Sequence, residues 1–377
     1  MFKEGKRGEV EMAKKSPQER LLCDFRAKLD TDLKNCSNVF IIGHNEPDFD
    51  AIGSAIGLYA LSMHYDKQAY IIVNDEETKI EAGTKKIIDD NRDLIKFITR
   101  GEFLARINEK SLLIITDTNK TNMIAIRDDL DKLNKIYIID HHETNDYTID
   151  KGTKYIDPTA SSASEIVSRI LNTSRIRYSG KVANYLYAGI SLDTKKLTHN
   201  TTSTTFDVVK KLINHGANGD DVRKLFLEGY EDFCRVADLV KDHTIRITYN
   251  KNSLSPITVA YTLNREKPRT IYKKEDYAKA AEQLTNFIEI DGAIAMGPVE
   301  DNIIHISMRS VDGKKLDSGK ILGRCYGGGT PQSAGGRVET EDIFEVEKKL
   351  REIVEDCINR QTQEEDSDPP KTLQNKI

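Results

Sequence analysis

Short apolar runs that end in acid or imidazole set the strongest constraint on this chain. Asn38–Gly43 (NVFIIG), Tyr70–Val73, Ser111–Thr116 and Lys135–Ile139 are brief, rich in β-branched residues, and separated by charged or amphipathic stretches of helix length. Continuous apolar strands alternating with helices are the pattern of a mostly parallel sheet buried on both faces. Three runs lead directly into polar groups. FIIGHNEPDFD gives His44, Asp48 and Asp50; LLIITD gives Asp117; IYIIDHH gives Asp140, His141 and His142. A fourth acid, Asp193 in AGISLD, follows a helix-like segment ending in a small-residue turn. In an open parallel sheet the carboxyl ends of the strands face one crevice at the switch point. These side chains are therefore expected to converge in space.

At 377 residues the chain suits two domains. Beyond Thr244 the pattern changes to ITVAYTL, a helix near Tyr277–Phe287, AIAMG and IIHISMRS, then the Gly-rich stretch Gly327–Gly336 and a helix at Glu341–Asn359. The expected class is two-domain α/β. A larger N-terminal domain (36–215) would hold a mostly parallel sheet flanked by helices. A helical connector (216–250) would lead to a smaller C-terminal α/β domain (251–357), with the active site in the cleft between the domains. Residues 1–35 read as a charged lead-in, helical or partly ordered, with Met12 a second candidate start, and 358–377 as a disordered tail. Ser162-x-x-Glu165 has the spacing of a capping box opening a helix to about Leu171.

Charge and composition narrow the partners. Lys and Arg number 56 against 61 Asp and Glu, a net charge of −5, which argues against a general binder of duplex nucleic acid. No apolar run approaches the roughly 20 residues of a membrane span, and the charged first 35 residues hold no signal-peptide core. The five cysteines lack paired spacing, so neither a disulfide framework nor a zinc cluster is indicated. The expected setting is the reducing cytoplasm.

Carboxylates and imidazoles without thiolate suit a hard to borderline divalent ion, Mn²⁺ first and Mg²⁺ or Co²⁺ behind. His44, Asp48, Asp50, Asp117, His141 and Asp193 make six ligands, more than one catalytic ion takes from protein. Two ions with Asp117 as a bridge account for them, the arrangement in which a bridging hydroxide attacks phosphorus in line. Each piece also has a plainer reading. HxxxDxD alone is usually a solvated turn, DHH alone a surface triplet, and an Asp after a strand a helix N-cap. The combination in this order favours a site. His64, His199, His215 and His243 lack such context and read as structural or surface residues.

At these residues the sequence resembles the DHH phosphoesterases, whose four motifs match His44-x3-Asp48-x-Asp50, Asp117, Asp140-His141-His142 and Asp193 in order. The resemblance implies that His44, Asp48 and Asp117 hold one Mn²⁺, and that Asp50, Asp117, His141 and Asp193 hold the other. His142 would sit beside the nucleophile, with Asp140 behind the ligands. It spans roughly 36–357, because the second domain resembles the DHH-associated domain with its GGGHxxAAG-like loop at Gly327–Gly336. Substrate contacts would come from Arg309, Gly327, Gly328, Gly329 and Thr330. Thr330 stands where the family loop usually has His, and Tyr326 where it often has Gly. The plainer reading of the loop is a tight turn that needs glycine.

Within the family, pyrophosphatases carry a different second domain, and RecJ-type exonucleases are longer. Tyr155–Val167 and Ala188–Asp207 are similar to the catalytic module of the GdpP-type cyclic-di-AMP phosphodiesterases, whose full-length members add transmembrane helices and sensory domains. The resemblance implies Mn²⁺-dependent hydrolysis of cyclic di-AMP to pApA, with further cleavage to AMP left open. A nanoRNase with adenosine-3′,5′-bisphosphate phosphatase activity is the alternative enzyme, and a non-catalytic nucleotide sensor the alternative of another class. The expected partner is a small cyclic or linear dinucleotide, with no duplex nucleic acid and no membrane, and a homodimer is the family's common assembly.

Overall fold

The computed structural model describes residues 16–74, 80–173, 176–242, 244–249, 256–264, 272–300, 302–340 and 342–367. The chain divides into two compact units between Leu227 and Glu228. In the first, strands β1 (Asn38–Ile42), β2 (Gln68–Ile72), β3 (Phe97–Ile98), β4 (Leu112–Thr116), β5 (Lys135–Asp140) and β6 (Thr153–Ile156) form one sheet in the order β3-β2-β1-β4-β5-β6. Every pairing is parallel. Chain direction through the sheet reverses between β1 and β4, which is the switch point. The short β3 and β6 lack a continuous apolar run and were not among the expected strands.

Alternation within each strand explains why the runs are apolar throughout. Val39, Ile41, Leu112 and Ile114 enter the core on one face; Phe40, Ile42, Leu113 and Ile115 enter the core on the other. Each such side chain contributes about 1.5–3 kcal/mol by leaving water.

The first unit's helices are α1 (Pro17–Asn35), α2 (Phe49–His64), α3 (Ala82–Asp89), α4 (Arg100–Arg106), α5 (Ala163–Thr173), α6 (Gly180–Asp193), α7 (Ser203–Asn214) and α8 (Gly219–Leu225). The charged lead-in is in its second half a packed helix. Ser16 caps α1 in a reciprocal box with Glu19, and Leu22, Phe25, Leu29 and Leu33 enter the core at helical spacing. Charged residues between them hide that stripe in the linear sequence. Residues 1–15 lie outside the described part. Helix α2 is buried along most of its length and packs against α6 with almost no cushion. A Cβ on Gly53 would stand 2.4 Å from the Tyr185 carbonyl oxygen, and one on Gly189 would stand 2.9 Å from the Asp50 Cα.

The second unit holds β7 (Thr244–Tyr249), β8 (Ile257–Leu263), β9 (Gly292–Glu300), β10 (Ile303–Ser310), β11 (Gly327–Gly329) and β12 (Ser333–Glu339) in the order β11-β12-β10-β9-β8-β7. Among the described residues only β8 and β9 pair in parallel. Helices α9 (Tyr230–Asp242) and α10 (Lys274–Leu284) cover one face, with Leu239, Tyr277 and Ala281 in that core. Helices α11 (Ser318–Gly323) and α12 (Ile343–Ser367) cover the other, with Ile321, Val346 and Leu350. Two boundaries differ from expectation. The stretch read as a connector supplies α9 and the edge strand β7, whose TIRITY alternation marks a half-exposed strand. The expected tail from 358 starts as the last turns of α12, and residues 368–377 lie outside the described part. Among the described residues no helix is long and apolar enough to cross a membrane.

Candidate metal and catalytic centre

The loops that follow β1, β4 and β5, together with the end of α6, bring the predicted side chains to the switch point. Asp48 is the N-cap of α2: its Oδ1 accepts hydrogen bonds from the backbone N–H groups of Asp50 at 2.8 Å and Ala51 at 3.0 Å. This motif is thus a helix start and not the solvated turn of its plainer reading, and the same carboxylate stands 3.8 Å from His44 Nε2. Asp50, in the first turn of α2, is fully buried. Its two oxygens accept from the N–H groups of Ala163 at 2.7 Å and Ser164 at 2.8 Å, at the start of α5. The absence of a side chain on Gly189 lets α6 lie against this carboxylate, since a Cβ there would be 2.7 Å from Asp50 Oδ1.

Asp117 takes the central place. Its φ of 58° is left-handed, a conformation that Asp tolerates better than most residues. Its two oxygens face opposite partners, Oδ2 at 3.5 Å from His44 Nε2 and Oδ1 at 3.5 Å from His141 Nε2. His141 Nε2 also lies 3.1 Å from Asp193 Oδ2 and 3.9 Å from Asp50 Oδ2. Asp193 is the last residue of α6. The three residues Lys195, Lys196 and Leu197 then turn left-handed, with φ of 47°, 61° and 66°. Thr194 anchors that strained turn: its hydroxyl donates to the Ile190 carbonyl at 2.6 Å and accepts from Leu197 N–H at 3.0 Å. Strain of this kind persists where surrounding structure fixes it, often at sites of function.

Asp140 and His142 form a separate pair. Asp140 is buried, and its Oδ1 lies 2.8 Å from His142 Nδ1 and accepts from His141 N–H at 2.8 Å. A carboxylate only accepts, so Nδ1 carries the proton and Nε2 of a neutral His142 is left with its lone pair. Asn119 was not singled out from sequence. It is buried, and its side-chain amide donates to the His142 carbonyl at 3.0 Å. Its one sequence cue is its place two residues beyond Asp117.

Three groupings of donor atoms lie within 4.8 Å of one another: His44, Asp48 and Asp117; Asp50, His141 and Asp193; and Asp117, Asp140, His141 and His142. The ionisation pattern follows from this crowding. Burial pushes Asp50 well above the usual carboxylate range, helped by the charges of Asp117 and Asp193. Burial likewise lifts Asp193 to about 6, opposed by the neighbouring His141 imidazole. For His141 burial disfavours the charged form, but Asp117 and Asp193 outweigh it and carry the group to about 12. His44 is raised well above its ordinary value, since Asp117 and Asp48 outweigh its burial. Asp117 moves the other way: burial opposes ionisation, and the two imidazoles overcome it and hold its carboxyl low.

The remaining predicted residues lie in the second unit. Arg309 is largely buried; its Nη1 donates to the Met308 carbonyl at 2.9 Å and its Nε stands 3.4 Å from Glu282. Burial lowers its pKa, opposed by Glu282. Gly327, Gly328 and Gly329 form β11, in a hairpin with β12. Thr330 sits at the turn, where its hydroxyl accepts from Ser333 N–H at 3.1 Å. Sterics explain part of this run: a Cβ on Gly327 would lie 1.9 Å from the Gly335 carbonyl oxygen, and one on Gly329 2.3 Å from that of Ser333. Gly328 has nothing within 4 Å of such an atom among the described residues. Among the other histidines, His215 stacks on Tyr178 at 4.5 Å, His64 and His199 are exposed, and His243 lies outside the described residues.

With this geometry in view, the family profile described as DHH family, N-terminal domain, matches residues 38–190. The chain belongs to the DHH family. The cyclic-di-AMP phosphodiesterase GdpP of Bacillus subtilis (strain 168) is 28% identical over 327 residues, 85% of this chain and 48% of that protein. An uncharacterized protein of Mycoplasma pneumoniae is 30% identical over 242 residues, 63% of this chain and 68% of that one. This DHH-family chain spans about half the length of the first curated relatives it matches. The crystal structure of an exopolyphosphatase-related protein from Bacteroides fragilis superposes with a TM-score of 0.74 at 20% identity, covering 90% of this chain and 98% of that one. That likeness shows the fold.

The donor set fits divalent metal. Asp117 Oδ1 and His141 Nε2 are buried without a hydrogen-bond partner among the described residues, a costly state for polar atoms that a cation would relieve. Asp193 stands at a helix C-terminus, the negative end of the macrodipole, where a carboxylate is disfavoured and a cation favoured.

Proposed function

We propose that this chain is a phosphodiesterase that uses two divalent ions, Mn²⁺ foremost, to hydrolyse cyclic di-AMP to pApA and onward to AMP. The observation that carries this reading is the shared place of Asp117, with one oxygen toward His44 and the other toward His141. His44, Asp48 and Asp117 would hold one ion, and Asp50, Asp117, His141 and Asp193 the other. Bound there, the ions would supply Lewis acidity toward the phosphate and toward water. The chain's own residues do the rest. Asp140 fixes the tautomer and orientation of His142, whose Nε2 moves a proton at the reacting phosphate. Asn119 holds the His142 backbone in place. Arg309 would pair with a substrate phosphate, and the open backbone at Gly328 would let substrate approach closely. The choice of cyclic di-AMP is supported by the activity named for the Bacillus subtilis relative. The same reading places the chain in the cytoplasm, acting on small dinucleotides.

Chromatography of products tests it, with cyclic di-AMP, cyclic di-GMP, pApA, adenosine bisphosphate, short oligoribonucleotides and pyrophosphate each offered with Mn²⁺. Conversion of cyclic di-AMP to pApA is expected. Loss of oligoribonucleotides with cyclic di-AMP untouched would make the chain a nanoRNase. Tight nucleotide binding without turnover would make it a sensor.

A further inference from the structure

Helices α2 and α6 carry the acid cluster at one shared end, with Asp50 at the start of α2 and Asp193 at the close of α6. Their opposite ends border a cavity of about 400 Å³. Ile56, Ile95 and Val182 contribute apolar wall, while His64, Arg177 and Lys181 contribute basic groups. No carboxylate belongs to its lining among the described residues. That is a notable local excess of positive charge in a chain whose net charge is −5. Arg177 has no ion-pair partner among the described residues, and Lys181 donates only to a backbone carbonyl, that of Asp90, at 3.1 Å.

We propose that this cavity is an effector site for a small aromatic phosphate of the nucleoside monophosphate class. The apolar wall suits a flat base, the basic groups suit the phosphate, and the volume lies in the range of small-molecule sites. Occupancy is coupled to the acid cluster through the α2–α6 pair. The glycine contacts at Gly53 and Gly189 leave no side-chain layer to absorb a displacement, so a shift at the cavity end is carried along helix α2, about 24 Å long, to Asp50 and Asp193. The coupling rests on the phosphodiesterase reading; the binding does not.

The test is calorimetry of AMP binding to the full chain, with adenosine and inorganic phosphate as half-ligands, for the natural protein and for Arg177→Glu with Lys181→Glu. Both positions are exposed, so the fold is retained. The double variant is expected to bind AMP about tenfold or more weakly, while its Mn²⁺ content and its turnover without AMP stay unchanged. AMP is also expected to alter kcat in the natural protein and not in the variant. Equal AMP affinity in the two proteins would overturn the site. An effect of AMP on KM alone, the same in both, would overturn the coupling. If cyclic di-AMP proves not to be a substrate, the calorimetric result still decides the binding.

Discussion

In the first unit every strand runs the same way, so the carboxyl ends share one edge and whatever follows each strand is delivered to one place. In the second, all pairings but one are antiparallel, so strand ends fall on both edges and no single edge gathers side chains. Chemistry in the first unit therefore concentrates at strand termini. In the second it has only faces and hairpins to use, such as the β11–β12 turn with Thr330. The contrast teaches that one sequence pattern, an apolar run followed by a polar residue, means different things in the two sheets.

The contrast breaks most decisively at Asp117. Asp117→Asn keeps a residue that accepts the left-handed backbone but removes a carboxylate oxygen from the shared position. Activity is expected to fall on the order of 10³-fold or more, with fewer ions per chain by elemental analysis and an unchanged circular dichroism spectrum. His142→Ala is expected to cost about 10²–10⁴-fold in kcat while ion content stays at the natural level. Ion loss in that variant would mean that His142 is a ligand and not a proton carrier.

Glycine substitutions sharpen the comparison at a smaller scale. Gly189→Ala places a Cβ 2.3 Å from Ser164 Oγ and 2.7 Å from Asp50 Oδ1, so a loss of about 1–3 kcal/mol and weaker ion binding are expected in thermal melts with and without Mn²⁺. Gly328→Ala meets open space and should change stability by no more than about 0.5 kcal/mol. A rise in KM at unchanged stability would show that this glycine serves substrate; no change in either would leave it without a role.

Protonation gives a graded prediction. In the ion-free site His141 is held at about 12 and Asp193 at about 6, with His44 also raised. Raised values favour the protonated forms, and ion binding must expel those protons. Mn²⁺ affinity is therefore expected to rise with pH, by up to about tenfold per unit between pH 6 and 8 for each imidazolium deprotonated. Below about 6, protonation of Asp193 adds to the loss of affinity. Calorimetry in buffers of different ionisation enthalpy would count the released protons; no release would contradict the ionisation pattern.

How much was legible in the sequence follows the same division. The four principal strands, the polar groups after three of them and the order of the motifs could be read because buried parallel strands are apolar on both faces and therefore stand out. The convergence of His44, Asp117 and His141 follows from direction alone. The packing of helix α1 into the core, unlike its helical character, is masked because its stripe of Leu22, Phe25, Leu29 and Leu33 is interleaved with charge. Strand β7 reads as connector in the sequence because an edge strand with one exposed face has no apolar run. Asn119 escaped because its role is to hold a backbone carbonyl, and no spacing announces that. The glycine stretch allowed two readings, and the structure divides it: Gly327 and Gly329 are required by close backbone approach, whereas Gly328 is not.

The most direct measurement is the conversion of cyclic di-AMP by the natural chain and by Asp117→Asn, side by side with Mn²⁺ and resolved by chromatography. The account predicts pApA from the natural chain, with AMP following, and turnover lower on the order of 10³-fold or more in the variant. Comparable rates from the two proteins, or intact cyclic di-AMP with both, would contradict it.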